Sequence, residues 1–172
     1  MRDGDTSAPK ALYCAYAGYL TGVCARYLSA SDDVKDVLHD SFLHIFESMG
    51  TFEYRGTGSL KAWLTKIVIN QSLQFIRHAY RTEILSQTLE TEEIVDDEPP
   101  QLEGLSMETL HQLIRELPPG YRTVFNLYVF EQKSHKEIAS LLNIKEASSA
   151  SQFHRAKSLL AARIKEIQSN NP

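Results

Sequence analysis

Cysteine is scarce in this sequence, with only Cys14 and Cys24 among 172 residues. Apolar residues recur at helical spacing around both, which places them on one predicted helix, roughly 15 Å apart along its axis. A disulfide requires Cα atoms within about 7 Å of each other. The sequence therefore excludes a bond between them and predicts two packed thiols in a reduced, cytoplasmic setting.

Long apolar runs are also missing. No stretch of the sequence approaches the roughly 20 apolar residues that a membrane-spanning helix needs. The start of the chain lacks the basic segment and apolar run that are typical of a signal peptide. We therefore expect no membrane insertion.

The common motifs of catalytic and metal sites are absent from the sequence as well. The six histidines form no His-Glu-x-x-His pair, and no Cys/His cluster has zinc-ligand spacing. There is no phosphate-binding Gly-Lys-Ser/Thr loop and no Gly-x-Ser-x-Gly turn. Asp36, His39 and Asp40 share one helix face, for which a solvated or partner-facing patch is favoured over a metal site. We expect no enzyme, no cofactor, no metal and no small-molecule substrate.

Acidic charge is concentrated in one part of the chain. Residues 83–103 contain eight acidic residues and no Lys or Arg. Because the whole chain carries −4, the remaining residues carry +4. The acidic stretch also contains Pro99-Pro100, so residues 82–106 are predicted to form a flexible linker, with a helical fragment near residues 84–90.

Residues 9–81 have the pattern of a small helical domain. Amphipathic helices are predicted over residues 11–28, 31–49 and 59–80. Ser31-Asp32-Asp33 and Ser59 are predicted to cap the second and third helices. The segment between these two helices contains three glycines and is predicted to be a loop.

The third predicted helix has a polar stripe beside its apolar face. No acidic residue occurs between Lys61 and Arg81. Aromatic side chains beside cations suit unstacked bases, because rings stack on bases while Lys and Arg contact phosphates. Alternatively, Trp63 and Tyr54 anchor the core and the cations only keep the helix hydrated. The residue pattern alone leaves both interpretations open.

Residues 107–168 are predicted to form a second helical domain. Pro118-Pro119 favours the start of a helix, and Ser134 with Glu137 has the spacing of a capping box. Asn143 suits a tight turn before the final helix. This order of elements is typical of a helix-turn-helix that binds DNA, with a plain helical hairpin as the alternative.

Three segments of the chain resemble the RNA polymerase sigma factors of the extracytoplasmic-function (ECF) group, in the sigma-70 family. The family's minus-ten signature is similar to FEYRGTGSLKAWLTKIVINQSLQFIR, and its polymerase-binding helix is similar to DVKDVLHDSFLHIFESMGTF. Its helix-turn-helix is similar to LPPGYRTVFNLYVFEQKSHKEIASLLNIKEASSASQFHRAKSLL. The resemblance implies an all-α fold with two small helical domains joined by the acidic linker.

The resemblance also implies partners and site residues. The partners are core RNA polymerase, promoter DNA and an anti-sigma factor. The implied polymerase-binding residues are Asp36, His39, Asp40, Leu43 and Phe46. The implied minus-ten contacts are Tyr54, Arg55, Gly56, Trp63, Lys66, Asn70 and Arg77. The implied minus-thirty-five contacts are Lys145, Ser148, Ser149, Ser151, Gln152, Arg155 and Lys157.

Four residues depart from the family pattern. His39 replaces a frequent Gln, Ala147 replaces a usual Gly, and Ala150 stands where a Lys commonly contacts DNA. Glu146 places a negative charge near the phosphates or, alternatively, at a helix N-terminus that favours it. These departures keep two alternatives to the sigma factor: a stand-alone helix-turn-helix regulator, and a sigma-like interaction protein that no longer reads promoters.

Overall fold

A computed structural model describes residues 7–79 and 105–170 of the chain. These residues form α-helices joined by short loops, with no β-strand among them. The predicted all-α fold is therefore confirmed. Most of the predicted linker, including its helical fragment, lies outside the described residues. The helices are α1 (Ser7–Ala25), α2 (Ser31–Ser48), α3 (Ser59–Ala79), α4 (Met107–Glu116), α5 (Pro119–Val129), α6 (His135–Leu142) and α7 (Glu146–Asn170).

The chain divides into two compact units, with the division inside α3 between Phe75 and Ile76. Helices α1, α2 and most of α3 form the first unit, and α4 to α7 belong to the second. No helix in the described part of the chain is long and apolar enough to cross a membrane.

The first unit is an up-down-up arrangement of helices. α1 and α2 are antiparallel, because the Tyr13 and Phe42 rings lie 4.7 Å apart near one end. Near the other end, the Cys24 Sγ atom lies 3.9 Å from the Val34 carbonyl oxygen. α3 runs parallel to α1, since Tyr19 contacts Thr65 and Cys24 contacts Ser72 further along both helices.

Apolar side chains fill the interior of the first unit. Leu20, Tyr27, Ile45 and Leu64 have no solvent exposure. The aliphatic side chains among them, Leu20, Ile45 and Leu64, each contribute about 1.5–3 kcal/mol by leaving water.

The two cysteines of the first unit lie in different environments. Cys24 is buried in the interior, and burial raises the pKa of its thiol, although a hydrogen bond with Ser72 opposes this shift. The prediction of two packed thiols is correct for Cys24 and wrong for Cys14, which is exposed.

The start of α2 differs from the prediction. Ser31 is the first helical residue, and the N-cap is Ala30, which makes no side-chain capping bond. Asp32 and Asp33 instead occupy the first turn. Carboxylates at this position interact favourably with the positive end of the helix dipole. The acidic residues still favour a helix start, but by charge rather than by capping.

The second unit contains a helix-turn-helix formed by α6 and α7. α5 begins at Pro119, as predicted, and the capping box of α6 is present: the Ser134 side chain accepts from the Glu137 N–H, and the Glu137 carboxylate accepts from the Ser134 N–H. Asn143 ends α6 in the left-handed conformation, with φ of 56°. Asn tolerates this conformation better than most residues, so the chain turns sharply into α7.

One apolar cluster joins α4, α5 and α7. The buried members are Leu113, Ile114, Leu117, Tyr121, Ala156, Leu160 and Ile164. The Arg122 side chain is also buried, and its Nη1 atom donates to the Arg115 carbonyl at 2.6 Å. A charged donor at the end of a helix satisfies carbonyl groups that lack partners within the helix. This contact fixes the end of α4 against α5.

Candidate nucleic-acid interface

The loop before α3 has a fixed backbone and exposed recognition groups. Gly56 and Gly58 have φ angles of +104° and +87°, in a backbone region that residues other than glycine rarely adopt. The Arg55 N–H donates to the Ser59 Oγ atom at 3.2 Å, and the Ser59 N–H donates to the Gly56 carbonyl. The Ser59 hydroxyl therefore connects the loop to the start of α3.

An open pocket of about 540 Å³ lies beside this loop. The Phe52 and Trp63 rings, with centroids 5.4 Å apart, form part of its wall. At its rim the Arg55 guanidinium pairs with the Glu53 carboxylate at 2.9 Å. The lining residues are Thr51, Phe52, Glu53, Arg55, Ser59, Ala62 and Trp63. The pocket therefore offers an aromatic wall and both signs of charge.

The two aromatic residues singled out in this segment occupy different environments. Tyr54 is 74% exposed, which rules out the interpretation that it anchors the core. Trp63 is half-buried and packs on Phe52. Trp63 thus combines a packing role with a ring face at the pocket, while Tyr54 offers its ring to solvent.

The polar stripe of α3 lies on the surface. Lys66, Asn70, Gln74 and Arg77 are all exposed. Residues three and four apart are neighbours on a helix, so these side chains form one row. α3 contains no acidic residue. The row is therefore positively charged and rich in hydrogen-bonding groups.

The outer face of α2 is polar with an apolar centre. Asp36, His39, Asp40 and Leu43 are exposed, Leu43 at 50%. Phe46 is half-buried and packs on Phe42 with ring centroids 5.9 Å apart. No group of three or more His, Cys, Asp or Glu side chains within residues 7–79 and 105–170 is placed to hold a metal ion. This face therefore combines exposed polar side chains with one exposed apolar side chain, Leu43.

The start of α7 carries part of the predicted minus-thirty-five set at the surface. Lys145 and Lys157 are exposed, and Ser148 and Ser151 are half-buried. The Lys157 ammonium also lies 5.3 Å from the centre of the Phe153 ring. Glu146 is the first residue of α7, where the helix dipole favours a carboxylate.

Ser149 and Gln152 differ from the prediction that they lie on the exposed face. Both are fully buried. Their positions continue the packed stripe of α7 through Ala156 and Leu160 at steps of three and four. The family resemblance implied that both contact DNA, although their spacing was the signal for the packed face. Leu159, on the same helix, is 41% exposed.

Arg155 is half-buried and engaged within the second unit. Its Nη1 atom donates to the Tyr121 hydroxyl at 3.2 Å. Tyr121 is itself 6% exposed and belongs to the apolar cluster. Arg155 therefore links α7 to α5, a role that its charge alone did not indicate.

An aromatic cluster beside the helix-turn-helix was missed by the sequence reasoning. The Tyr128 ring lies 4.7 Å from the His135 ring and 4.3 Å from the Phe153 ring. The Phe125 ring stacks near Phe153 at 6.0 Å. Nothing in the local spacing of the sequence indicated that His135 joins Tyr128 and Phe153.

Two family models match this chain. Sigma-70 region 2 matches residues 12–82, and sigma-70 region 4 matches residues 107–160. The ECF RNA polymerase sigma factor SigW of Bacillus subtilis is 24% identical over 178 residues, covering 97% of this chain and 94% of SigW. The chain belongs to the ECF group of the sigma-70 family.

Two further relatives of this sigma factor are also RNA polymerase sigma factors. The RNA polymerase sigma-H factor of Pseudomonas aeruginosa is 26% identical over 168 residues, covering 91% of this chain and 86% of the relative. The ECF factor SigM of Bacillus subtilis is 26% identical over 153 residues, covering 86% and 91% of the two chains. Sigma factors are transcription initiation factors, a non-enzymatic family.

A solved structure has a similar fold. It contains the sigma factor RpoE in complex with the anti-sigma factor NepR from Bartonella quintana. The match covers 91% of this sigma factor and 96% of the solved chain, with 21% identity and a TM-score of 0.51. At this identity the likeness concerns the fold.

Proposed function

We propose that this sigma factor binds core RNA polymerase, recognises minus-ten and minus-thirty-five promoter elements and initiates transcription at them. The observation that carries the proposal is that one chain combines region 2 and region 4. Each of the two units also carries an exposed surface that suits nucleic acid. The acidic total charge does not oppose this function, because residues 83–103 contain eight acidic residues and no Lys or Arg, which leaves +4 on the rest of the chain.

The third helix, α3, and the loop before it are proposed to hold the melted minus-ten strand. The exposed ring of Tyr54 and the aromatic wall of the pocket suit the faces of unstacked bases. Lys66 and Arg77 suit phosphates, and Asn70 can both donate to and accept from a base edge. The whole proposed set is Tyr54, Arg55, Gly56, Trp63, Lys66, Asn70 and Arg77.

The second unit is proposed to place the start of α7 in the major groove of the minus-thirty-five element. Lys145 and Lys157 suit phosphates, while Ser148 and Ser151 suit base edges or sugars. Arg155 belongs to the proposed set through its position on the same helix, and its Nη1 atom also donates to the Tyr121 hydroxyl. Because Ser149 and Gln152 are buried, we propose that they support this surface from within.

The outer face of α2 is proposed to bind the polymerase. Asp36, His39 and Asp40 supply polar contacts, and Leu43 supplies exposed apolar area with Phe46 behind it. An apolar centre within a polar rim is the usual composition of a protein interface. An anti-sigma factor is proposed to cover these surfaces, as the solved relative is in complex with one.

The experiment combines a pull-down with core RNA polymerase and run-off transcription on a library of DNA fragments. We expect polymerase binding and transcription from new, defined start sites only when this protein is present. Polymerase binding without new starts would favour an interaction protein that no longer reads promoters. Retention of duplex DNA without polymerase binding would favour a stand-alone regulator. Either result would contradict the proposal.

A further inference from the structure

A polar link joins the two helices of the helix-turn-helix. The Nδ1 atom of His135 lies 3.0 Å from the Oγ atom of Ser149. His135 is the first residue of α6, and Ser149 lies in the first turn of α7. Ser149 has no solvent exposure, so its hydroxyl cannot exchange this partner for water without a rearrangement. Leaving a buried polar group unsatisfied is costly.

Aromatic rings fix the direction of the imidazole in this link. The Tyr128 ring stacks on the His135 ring with an angle of 22° between their planes. The Phe153 ring lies 5.8 Å from the imidazole at 57°. Tyr128 comes from α5 and Phe153 from α7, so neighbouring helices orient the ring whose Nδ1 atom faces Ser149.

Ser149 lies among the residues proposed to contact the minus-thirty-five element. Ser148 directly precedes it, Ser151 follows, and Lys145 lies one turn earlier. Successive side chains on a helix differ by about 100° around its axis, so a rotation of α7 redirects all of them together. A bond from α6 to Ser149 resists such a rotation.

We propose that His135, acting through Ser149, is a positioning residue for minus-thirty-five recognition. It fixes the rotation of α7 and thereby the direction of the side chains that face the major groove. This inference rests on the proposed function of the second unit. It adds a residue that neither the sequence pattern nor the family resemblance assigned to promoter reading.

The test measures minus-thirty-five discrimination by the complete holoenzyme. Discrimination is the amount of open complex formed on a promoter with an intact minus-thirty-five element, divided by the amount formed on the same promoter with that element scrambled. The promoter is the strongest one obtained with the wild-type protein by run-off transcription. His135→Phe keeps a ring for stacking without the hydrogen bond, His135→Asn keeps an amide near the position of Nδ1, and Ser149→Ala removes the hydroxyl.

We expect His135→Phe and Ser149→Ala each to lower discrimination about fivefold, the effect of one hydrogen bond of ordinary net strength. The double variant should lose no more than either single variant, because both remove the same interaction. His135→Asn should retain most of the discrimination. Ser140→Ala, which changes an exposed serine on α6, should have no effect.

Two results would overturn the proposal in distinguishable ways. If both single variants melt at lower temperature but keep discrimination within twofold of the wild type, the link only stabilises the fold. If the wild-type protein itself does not distinguish the two promoters, the proposed function of the second unit is wrong, and the positioning role falls with it.

Discussion

Tyr54 and Asn70 are exposed at the surface of the first unit. Tyr54 is 74% exposed, and Asn70 lies on the exposed row of α3. Trp63, in contrast, packs on Phe52, so its replacement would loosen the loop as well as remove a ring. Tyr54 and Asn70 are therefore the residues through which a role in strand capture can be tested without disturbing the fold.

We expect Tyr54→Ala combined with Asn70→Ala to reduce promoter opening at least tenfold. Stacking of one base on an aromatic ring contributes about 1–3 kcal/mol, and the amide adds a base-edge contact. The measurement is the fluorescence of 2-aminopurine placed in the minus-ten segment. Polymerase binding and the melting temperature serve as controls and should not change. Normal promoter opening by this double variant would show that the melted strand lies elsewhere.

Single residues also show where sequence reasoning reaches its limit. The family resemblance assigned Ser149 and Gln152 to the DNA-facing surface. A buried polar residue is revealed only by the partner that satisfies it, and the partner of Ser149 lies fourteen positions earlier, at His135. No local pattern encodes a contact of this kind, because it depends on how α6 and α7 pack.

At the scale of helices and turns, the sequence carries more of the structure. The capping box at Ser134, the proline start of α5 and the turn at Asn143 were all predicted and are confirmed. Each depends on residues within four positions of one another, so local chemistry decides it. The start of α1 at Ser7 rather than at residue 11 was not predicted, because small residues such as Ala8 give no clear boundary.

The capping box allows a direct comparison within one helix. We expect Ser134→Ala to lower the free energy of unfolding of the second unit by about 1 kcal/mol, the usual effect of losing an N-cap. Ser140→Ala, an exposed change within the same helix, should be neutral or slightly stabilising because Ala favours helix. Urea denaturation followed by circular dichroism measures both. Equal effects would mean that the cap does not stabilise α6.

Glu137 gives the same cap a dependence on pH. Hydrogen bonds from the Ser134 backbone N–H, then from its hydroxyl and from Lys133, hold the pKa of the Glu137 carboxyl below its ordinary value. A carboxyl group whose pKa is lower in the folded protein than in the unfolded protein stabilises the fold. This stability is fully present above the unfolded-state pKa and is lost as the pH falls through the folded-state pKa.

We therefore expect Glu137→Gln to destabilise the second unit at neutral pH. The difference from the wild type should shrink as the pH falls below the ordinary glutamate pKa of about 4.3 and disappear once the lowered pKa is passed. Urea denaturation at a series of pH values measures this difference. A difference that stays constant down to acid pH would contradict the assignment of the effect to ionised Glu137.

At the scale of the whole molecule, the proposed promoter contacts are divided between two compact units. Tyr54 belongs to the first unit and Lys145 to the second. Free-energy effects of changes at distant, independent sites usually add within about 0.3–0.5 kcal/mol. The two proposed contacts also differ in kind, since Tyr54 offers a ring for stacking and Lys145 offers a cation for a phosphate.

Tyr54→Ala and Lys145→Ala should each lower the promoter affinity of the holoenzyme. We expect the two fold-losses in affinity to multiply in the double variant. Lys145→Ala alone should reduce the slope of log affinity against log salt concentration by about one, whereas Tyr54→Ala should leave the slope unchanged. Promoter binding by the holoenzyme across a salt series provides both readouts. Losses that do not multiply would indicate that the two units engage DNA as a single coupled surface.

The unequal exposure of the two cysteines gives the molecule one natural attachment point. Cys14 lies in solvent on α1, while Cys24 is buried and its thiol pKa is raised. Because the thiolate is the reactive form, we expect a maleimide dye to label the native protein at Cys14 alone and both thiols after denaturation, as counted by mass spectrometry. A dye placed there would report the arrival of this sigma factor on the polymerase without any engineered residue.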